Sequence, residues 1–245
     1  RELVPRLRDE HGIDLVVANG ENAAGGLGAT PETLDELFRA GVHVVTLGNH
    51  TWRKKQLAPV LDTYDTVVRP ANYPQGVPGC GAQLVRLPDG REAGVINLIG
   101  RVYMDPVGCP FEVGLREVTR LRERTPVVLV DFHAEATSEK VAMGWYLDGK
   151  CTAVVGTHTH VQTADERVLP GGTAYITDVG MTGPFDSVIG IERELIVRKF
   201  LTGMPSEFKV SEERPGLCGV VIEADDQTGA ALSIARVCVL DTGRL

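Results

Sequence analysis

Four apolar runs rich in β-branched residues constrain this chain more than any other feature: Ile13 to Ala18, Val42 to Leu47, Val127 to Val130 and Cys151 to Val155. They do not alternate regularly with polar residues, so they suit strands buried on both faces rather than strands with one wet face. Helix signals lie between them. Thr30 stands before Pro31 as a cap for a helix running to Ala40, residues 112–124 read as a helix, and so does Thr137 to Leu147. Strand and helix in alternation argue for parallel strands in the front half.

The remaining segments fit one α/β domain spanning 1–245, with no repeat, low-complexity tract or linker. Residues 1–11 read as the tail of an amphipathic helix closed by Gly12. A helix is expected around Lys54 to Leu61 and a strand near Thr66 to Arg69. Pro88-Asp89-Gly90-Arg91 should turn a hairpin between 82–87 and 93–98. A second hairpin is expected across Pro170-Gly171-Gly172, then a loop at Thr182-Gly183-Pro184 and a helix near 191–202. A final antiparallel pair, 217–224 with 230–239, closes the chain.

Composition excludes several classes of function. The net charge of −8 argues against an electrostatic grip on long nucleic acid, so no stable nucleic-acid complex is expected. No apolar run reaches the length of a membrane span. Five scattered cysteines without a C-x-x-C pair suit free thiols in a reducing, cytoplasmic setting.

The polar residues collect where the strands stop. The four runs are followed by Glu21-Asn22, by Asn49-His50, by His133, and by His158-Thr159-His160. In a parallel sheet the carboxyl ends share one edge, where ligands bind. One carboxylate, two carboxamides and four imidazoles would meet there without a thiolate, a set for Mn, Fe or Zn. One ion does not need so many ligands. Two ions a few ångströms apart do, with Glu21 the carboxylate placed to bridge them. Each residue alone has a bland reading: Asn22 and Asn49 as loop and turn residues, His50 at a helix entry, His133 bonded to a carbonyl. Jointly the bland reading needs four coincidences. His11, at a helix end, and His43, inside a strand, fall outside the pattern and read as structural.

Gly48-Asn49-His50, a lone His133 and Gly156-Thr157-His158-Thr159-His160 resemble, in this order, the motif series of the calcineurin-like metallophosphoesterases. Asn19-Gly20-Glu21-Asn22-Ala23-Ala24-Gly25-Gly26 stands where that family carries GDxxD. With the blocks Leu47 to Trp52, Asp131 to Lys140 and Thr177 to Pro184, it is similar to the YmdB-type bacterial cyclic-nucleotide phosphodiesterases along essentially the whole chain. The resemblance implies a four-layer α/β/β/α sandwich of two mixed sheets flanked by helices, and two metal ions, iron or manganese first and zinc after them. One metal would be held by Glu21, Asn22 and His160, the other by Glu21, Asn49, His133 and His158, with His50 as general acid. The substrate implied is a small cyclic nucleotide, 2′,3′-cyclic first. The metals would bind phosphate oxygens and acidify a shared water for in-line attack.

The front departs from the family, which opens with a strand ending in a metal-binding Asp. Here residue 1 lies within the helix that should follow that strand, and Asp9 and Asp14 are not placed to replace the ligand, so a missing N-terminal segment is expected. A phosphomonoesterase or protein phosphatase would share every ligand, and a non-catalytic nucleotide-binding regulator would keep the cleft without turnover. A homo-oligomer is compatible with all three. Trp52 reads equally as a base-stacking or a core residue.

Overall fold

The computed structural model describes residues 2–240. Arg1 and residues 241–245, the two ends of the expected 1–245 domain, lie outside the described residues. Helix α1 (Leu3–His11) is closed by Gly12 in the left-handed conformation. Then come β1 (Val17–Asn19), α2 (Pro31–Arg39), β2 (Val44–Thr46), a 3-10 turn (Ala58–Thr63) and β3 (Val67–Val68). Thr30 and Thr33 cap α2 reciprocally, each side-chain oxygen accepting the other's N–H. Strands β1, β2 and β3 form a parallel sheet in that order, and no described strand pairs with the free edge of β1.

Two expectations fail in this part. The first strand starts at Val17 rather than Ile13, and Asp14 turns outward to pair with Arg91 at 2.8 Å. The helix expected around Lys54 to Leu61 is a run of turns and the 3-10 element, because Pro59 has no N–H to give an α-helical bond.

The second sheet is built from β4 (Ala82–Arg86), β5 (Glu92–Ile99), β6 (Val128–His133), β7 (Ala153–Thr157), β8 (Arg167–Val168) and β9 (Ala174–Ile176). Its order is β4-β5-β6-β7-β9-β8, with β5, β6, β7 and β9 parallel and the expected hairpins forming both antiparallel edges. Helix α3 (Pro110–Arg122) joins β5 to β6, and α4 (Thr137–Leu147) joins β6 to β7. A third, antiparallel sheet holds β10 (Thr182–Pro184), β11 (Pro215–Ala224) and β12 (Ala231–Leu240), with α5 (Arg193–Thr202) between β10 and β11. Thr182-Gly183-Pro184, read as a loop, is thus an edge strand, a place where a sheet accepts proline. The expected pair of mixed sheets is corrected to one parallel, one mixed and one antiparallel sheet.

Side-chain parity sets the packing. Ile96, Leu98, Val128, Val130 and Phe132 face α3 and α4, where Val118, Leu121, Met143 and Leu147 complete a core. The opposite face of β5 sends Val95 against Val44 and Val68 of the first sheet. On that sheet's other side, Val45 and Leu47 pack on Leu34 of α2. Val220, Ile222 and Ile234 of the third sheet cover Val155 and Ile176. Two sheets therefore meet face to face, and their carboxyl ends open on one rim.

Candidate metal centre

The site belongs to two sheets, not to the edge of one as expected. Glu21 and Asn22 follow β1, and Asn49 and His50 follow β2, both in the first sheet; His133 ends β6 and His158 follows β7, both in the second. In β6 the alternation that sends Val130 and Phe132 to the helices turns Asp131 and His133 to the other face. His133 is thus the last residue of the strand rather than a residue beyond it.

Close approach explains two glycines. A Cβ on Gly48 would collide with the Glu21 carboxylate and the His133 ring, so the end of β2 passes the site only as glycine. A Cβ on Gly156 would strike the Thr177 carbonyl. Beyond it His158 (φ 98°) and His160 (φ 65°) both adopt left-handed backbone, uncommon outside glycine and costing about 1–3 kcal/mol each. Asp178 holds this turn. Its Oδ2 accepts Thr159 N–H (3.0 Å), Thr159 Oγ1 (2.7 Å) and Lys140 Nζ (2.8 Å), while Oδ1 accepts Gly180 N–H (2.9 Å). Lys140 is 1% exposed and Asp178 0%, so the ion pair is fully desolvated.

Three acceptor atoms converge around His133 Nε2. Asn49 Oδ1 lies at 2.9 Å, His158 Nδ1 at 3.1 Å and Glu21 Oε1 at 3.2 Å. The far side of each ring assigns its proton. Thr157 Oγ1 gives its hydrogen to Asp131 Oδ1 (2.7 Å), so it accepts from His133 Nδ1–H (2.9 Å) and leaves Nε2 as a lone pair. His158 Nε2 faces Glu135 Oε2 at 3.1 Å, so its Nδ1 is the lone pair. Lone pairs and oxygens crowded together without a proton between them fit a cation, and the outer partners orient the rings as metal-binding histidines require. The Glu21, His133 and His158 ligand atoms all lie within 4.8 Å of one another.

A second group shares Glu21. Asn22 Nδ2 is 3.2 Å from both Glu21 Oε1 and His160 Nε2, and Asn22 Oδ1 accepts from His50 Nδ1 at 2.8 Å. His160 Nδ1 donates to Ile189 O (3.0 Å), which again leaves Nε2 free of a proton. Asn22 thus shows its amide nitrogen here; as a ligand it would turn its oxygen to this side. All six expected ligands and His50 are gathered, with Glu21 between the two groups.

The charges match this reading. Burial raises the Glu21 carboxyl, but His133, when protonated, by charge and hydrogen bond, and then a protonated His50 outweigh it and carry it down to about 2. Burial, then His133, bring His158 down to about 4, and burial also lowers His50 against the pull of Glu21. At neutral pH Glu21 is therefore an anionic carboxylate and His158 a neutral imidazole, the states that ligate.

Beneath the site, Asp131 ties the two sheets. It accepts Thr46 Oγ1 (2.5 Å) and Asn19 Nδ2 (3.2 Å) from the first sheet and Thr157 Oγ1 from the second. Burial raises its pKa, and these bonds with His133 oppose the rise. Sequence reasoning gave no role to Asp131, Thr157, Glu135, Lys140 or Asp178. A carboxylate two residues before His133 in an apolar strand was the available signal for Asp131. Of the two residues read as structural, His43 Nδ1 accepts Val16 N–H (2.9 Å), and His11 is exposed at the end of α1. Trp52 packs on the first-sheet core and on Tyr73, ring centres 5.6 Å apart.

A family model described as YmdB-like protein matches residues 1–237, and the chain belongs to that family. It is 49% identical over 241 residues to a 2′,3′-cyclic-nucleotide 2′-phosphodiesterase of Bacillus subtilis, covering 98% of this chain and 91% of that protein. Its fold superposes on a novel phosphatase from Mycoplasma pneumoniae with a TM-score of 0.90 at 36% identity, covering 97% of this chain and 86% of the other. A hypothetical protein from Thermus thermophilus gives 0.87 at 42%, covering 97% and 91%. The chain is an enzyme of the hydrolase class.

Proposed function

We propose that this chain is a two-metal phosphodiesterase that opens 2′,3′-cyclic nucleotides to a monophosphate in the cytoplasm, on a four-layer α/β/β/α frame. The observation that carries it is the convergence of Asn49 Oδ1, His158 Nδ1 and Glu21 Oε1 on the unprotonated His133 Nε2. Glu21, Asn49, His133 and His158 would hold one ion, and Glu21, Asn22 and His160 the other; the nitrogen and oxygen donor set suits Mn, Fe or Zn, and the family resemblance favours iron or manganese. Bound there, the pair supplies positive charge for the phosphate oxygens and a water acidified into a nucleophile.

The chain's own residues do the rest. The Glu21 carboxylate, 1% exposed, keeps the two groups at fixed separation. His50 is the general acid for the leaving ribose oxygen: its Nδ1 lies 2.8 Å from the Asn22 side-chain amide, and with Asn22 turned to ligate through its oxygen, the amide nitrogen would donate to that Nδ1 and leave Nε2 to carry the proton. Burial keeps His50 neutral in the free chain, and an anionic phosphate beside it favours the protonated form. No helix among the described residues is long and apolar enough to cross a membrane.

The test is metal content and hydrolysis of a 2′,3′-cyclic nucleotide against a phosphomonoester, for the wild type and His50→Ala. Support would be two metals per chain, preference for the cyclic diester, and a loss in His50→Ala of about 10²–10⁴-fold with metals retained. Preference for the monoester would make it a phosphomonoesterase instead. Nucleotide bound without turnover by the metal-loaded wild type would refute catalysis.

A further inference from the structure

Behind the His158–His160 turn, β11 and β12 set two cysteines against each other. Cys218 and Cys238 are direct partners in the antiparallel register. Cys218 gives its N–H to Met181 O (3.0 Å), away from β12, so the two meet at a rung without hydrogen bonds. At such rungs Cα atoms stand about 4.5 Å apart and side chains are closest, inside the span of about 4.4–6.8 Å that a disulfide bridges. Cys238 is exposed and Cys218 partly buried.

This rung is joined to the candidate centre. Gln162, two residues beyond His160, donates its Nε2 to Gly219 O (2.8 Å) and Val237 O (3.2 Å), the adjacent rung of the same ladder, and to Val179 O (3.2 Å). A Cβ on Gly180 would collide with both Cys218 and Gln162, so the three are packed together. Gly180 N–H is held by Asp178, the residue that also holds Thr159. The thiol rung, Gln162, Asp178 and the histidine turn form one contiguous unit.

We propose that Cys218 and Cys238 are a redox-sensitive dithiol that a low-molecular-weight disulfide closes into a cross-strand bridge, and that closure displaces His160 through Gln162. The exposed Cys238 thiolate attacks one sulfur of the reagent and releases one small thiol. Cys218 sulfur then attacks Cys238 Sγ and releases the second. One protein S–S bond replaces two S–H bonds, the reagent's S–S bond is reduced, and the two protons leave on the two small thiols. Cys238 is exposed where Cys218 is partly buried, which makes Cys238 the first to meet the reagent; burial, and then Cys238, push the Cys218 thiol up. The bridge fixes the Cβ separation near about 3.8 Å and so retwists the ladder, moving the two carbonyls that Gln162 grips. The second half of the proposal rests on the metal-centre reading; the first does not.

The test treats the metal-loaded full chain with glutathione disulfide, then maps peptides and measures metal affinity by chelator competition. Expected is a Cys218–Cys238 linked peptide without retained glutathione and a metal affinity lower by about tenfold, as for loss of an orienting partner. Dithiothreitol should restore it. Cys218→Ser should stop at one glutathione on Cys238, and Cys238→Ser, or Cys238→Ala as a second variant, should show neither linkage nor affinity loss. No linkage while exposed Cys80 takes up glutathione would overturn the proposal, as would linkage with unchanged affinity. A chain that holds no metal before oxidation would instead sink the metal-centre reading and leave the linkage result standing.

Discussion

Replacing Lys140 by methionine keeps the length and apolar stem of the side chain and removes only the ammonium. Its partner Asp178 is then a carboxylate 0% exposed, stripped of its cation. Breaking a buried pair from one side costs about 3–5 kcal/mol. Here Thr159 N–H, Thr159 Oγ1 and Gly180 N–H still serve the carboxylate. Hydrogen bonds to a charged group are worth about 1.5–3 kcal/mol each, so the lower end, about 3 kcal/mol, is expected. That is about two orders of magnitude in the folding equilibrium. The same change loosens the clasp on Thr159, between two residues held in left-handed backbone. Metal affinity should therefore fall by about 10–100-fold, the range for lost outer partners of metal ligands. Urea unfolding at unchanged slope reads the first quantity and chelator competition the second. A stability loss below about 1 kcal/mol with affinity unchanged would refute the claim that this pair holds the turn, since an exposed pair is worth no more than that.

Thr157→Val preserves shape but removes the hydroxyl that fixes the His133 proton; metal affinity should fall by about 10–100-fold, and chelator titration reads it. Gly48→Ala should abolish metal binding while the chain still folds, because its methyl would occupy the space of the Glu21 and His133 ligand atoms; metal analysis beside circular dichroism checks this. The metal-free chain should lose stability as pH falls in two windows. His158 binds protons more weakly folded, at about 4, than unfolded, near 6.5, so stability is complete above 6.5 and is lost on the way down to about 4. Glu21 is likewise lowered, from 4.5 to about 2, so its contribution is present above 4.5 and is lost as pH falls toward 2. Urea midpoints across pH check both, and midpoints that rise on acidification would contradict them.

Much of the architecture can be read locally. Thr137 to Leu147 is helical as expected, the two hairpins and the final antiparallel pair stand at their expected positions, and Thr30 caps α2. Apolar periodicity, capping residues and turn residues act over a few positions, so the chain displays them directly. The donor set was legible too, because each ligand-type residue lies at or just past the end of an apolar run. Strand limits were not, since the ladder decides them: β6 continues through Asp131 and His133 because neighbours on both sides complete its hydrogen bonds.

The sequence by itself determined which chemical groups the rim would carry: one carboxylate, two carboxamides and four imidazoles. Only the tertiary structure decided that two sheets deliver them and that Asp131 ties those sheets through Thr46, Asn19 and Thr157. It alone assigned the proton on each histidine and set the buried Lys140–Asp178 pair behind the turn. Proton positions and desolvation depend on partners more than 20 residues away along the chain, and the tie between the sheets on one 112 away. No local pattern encodes such partners; packing of the two sheets creates them.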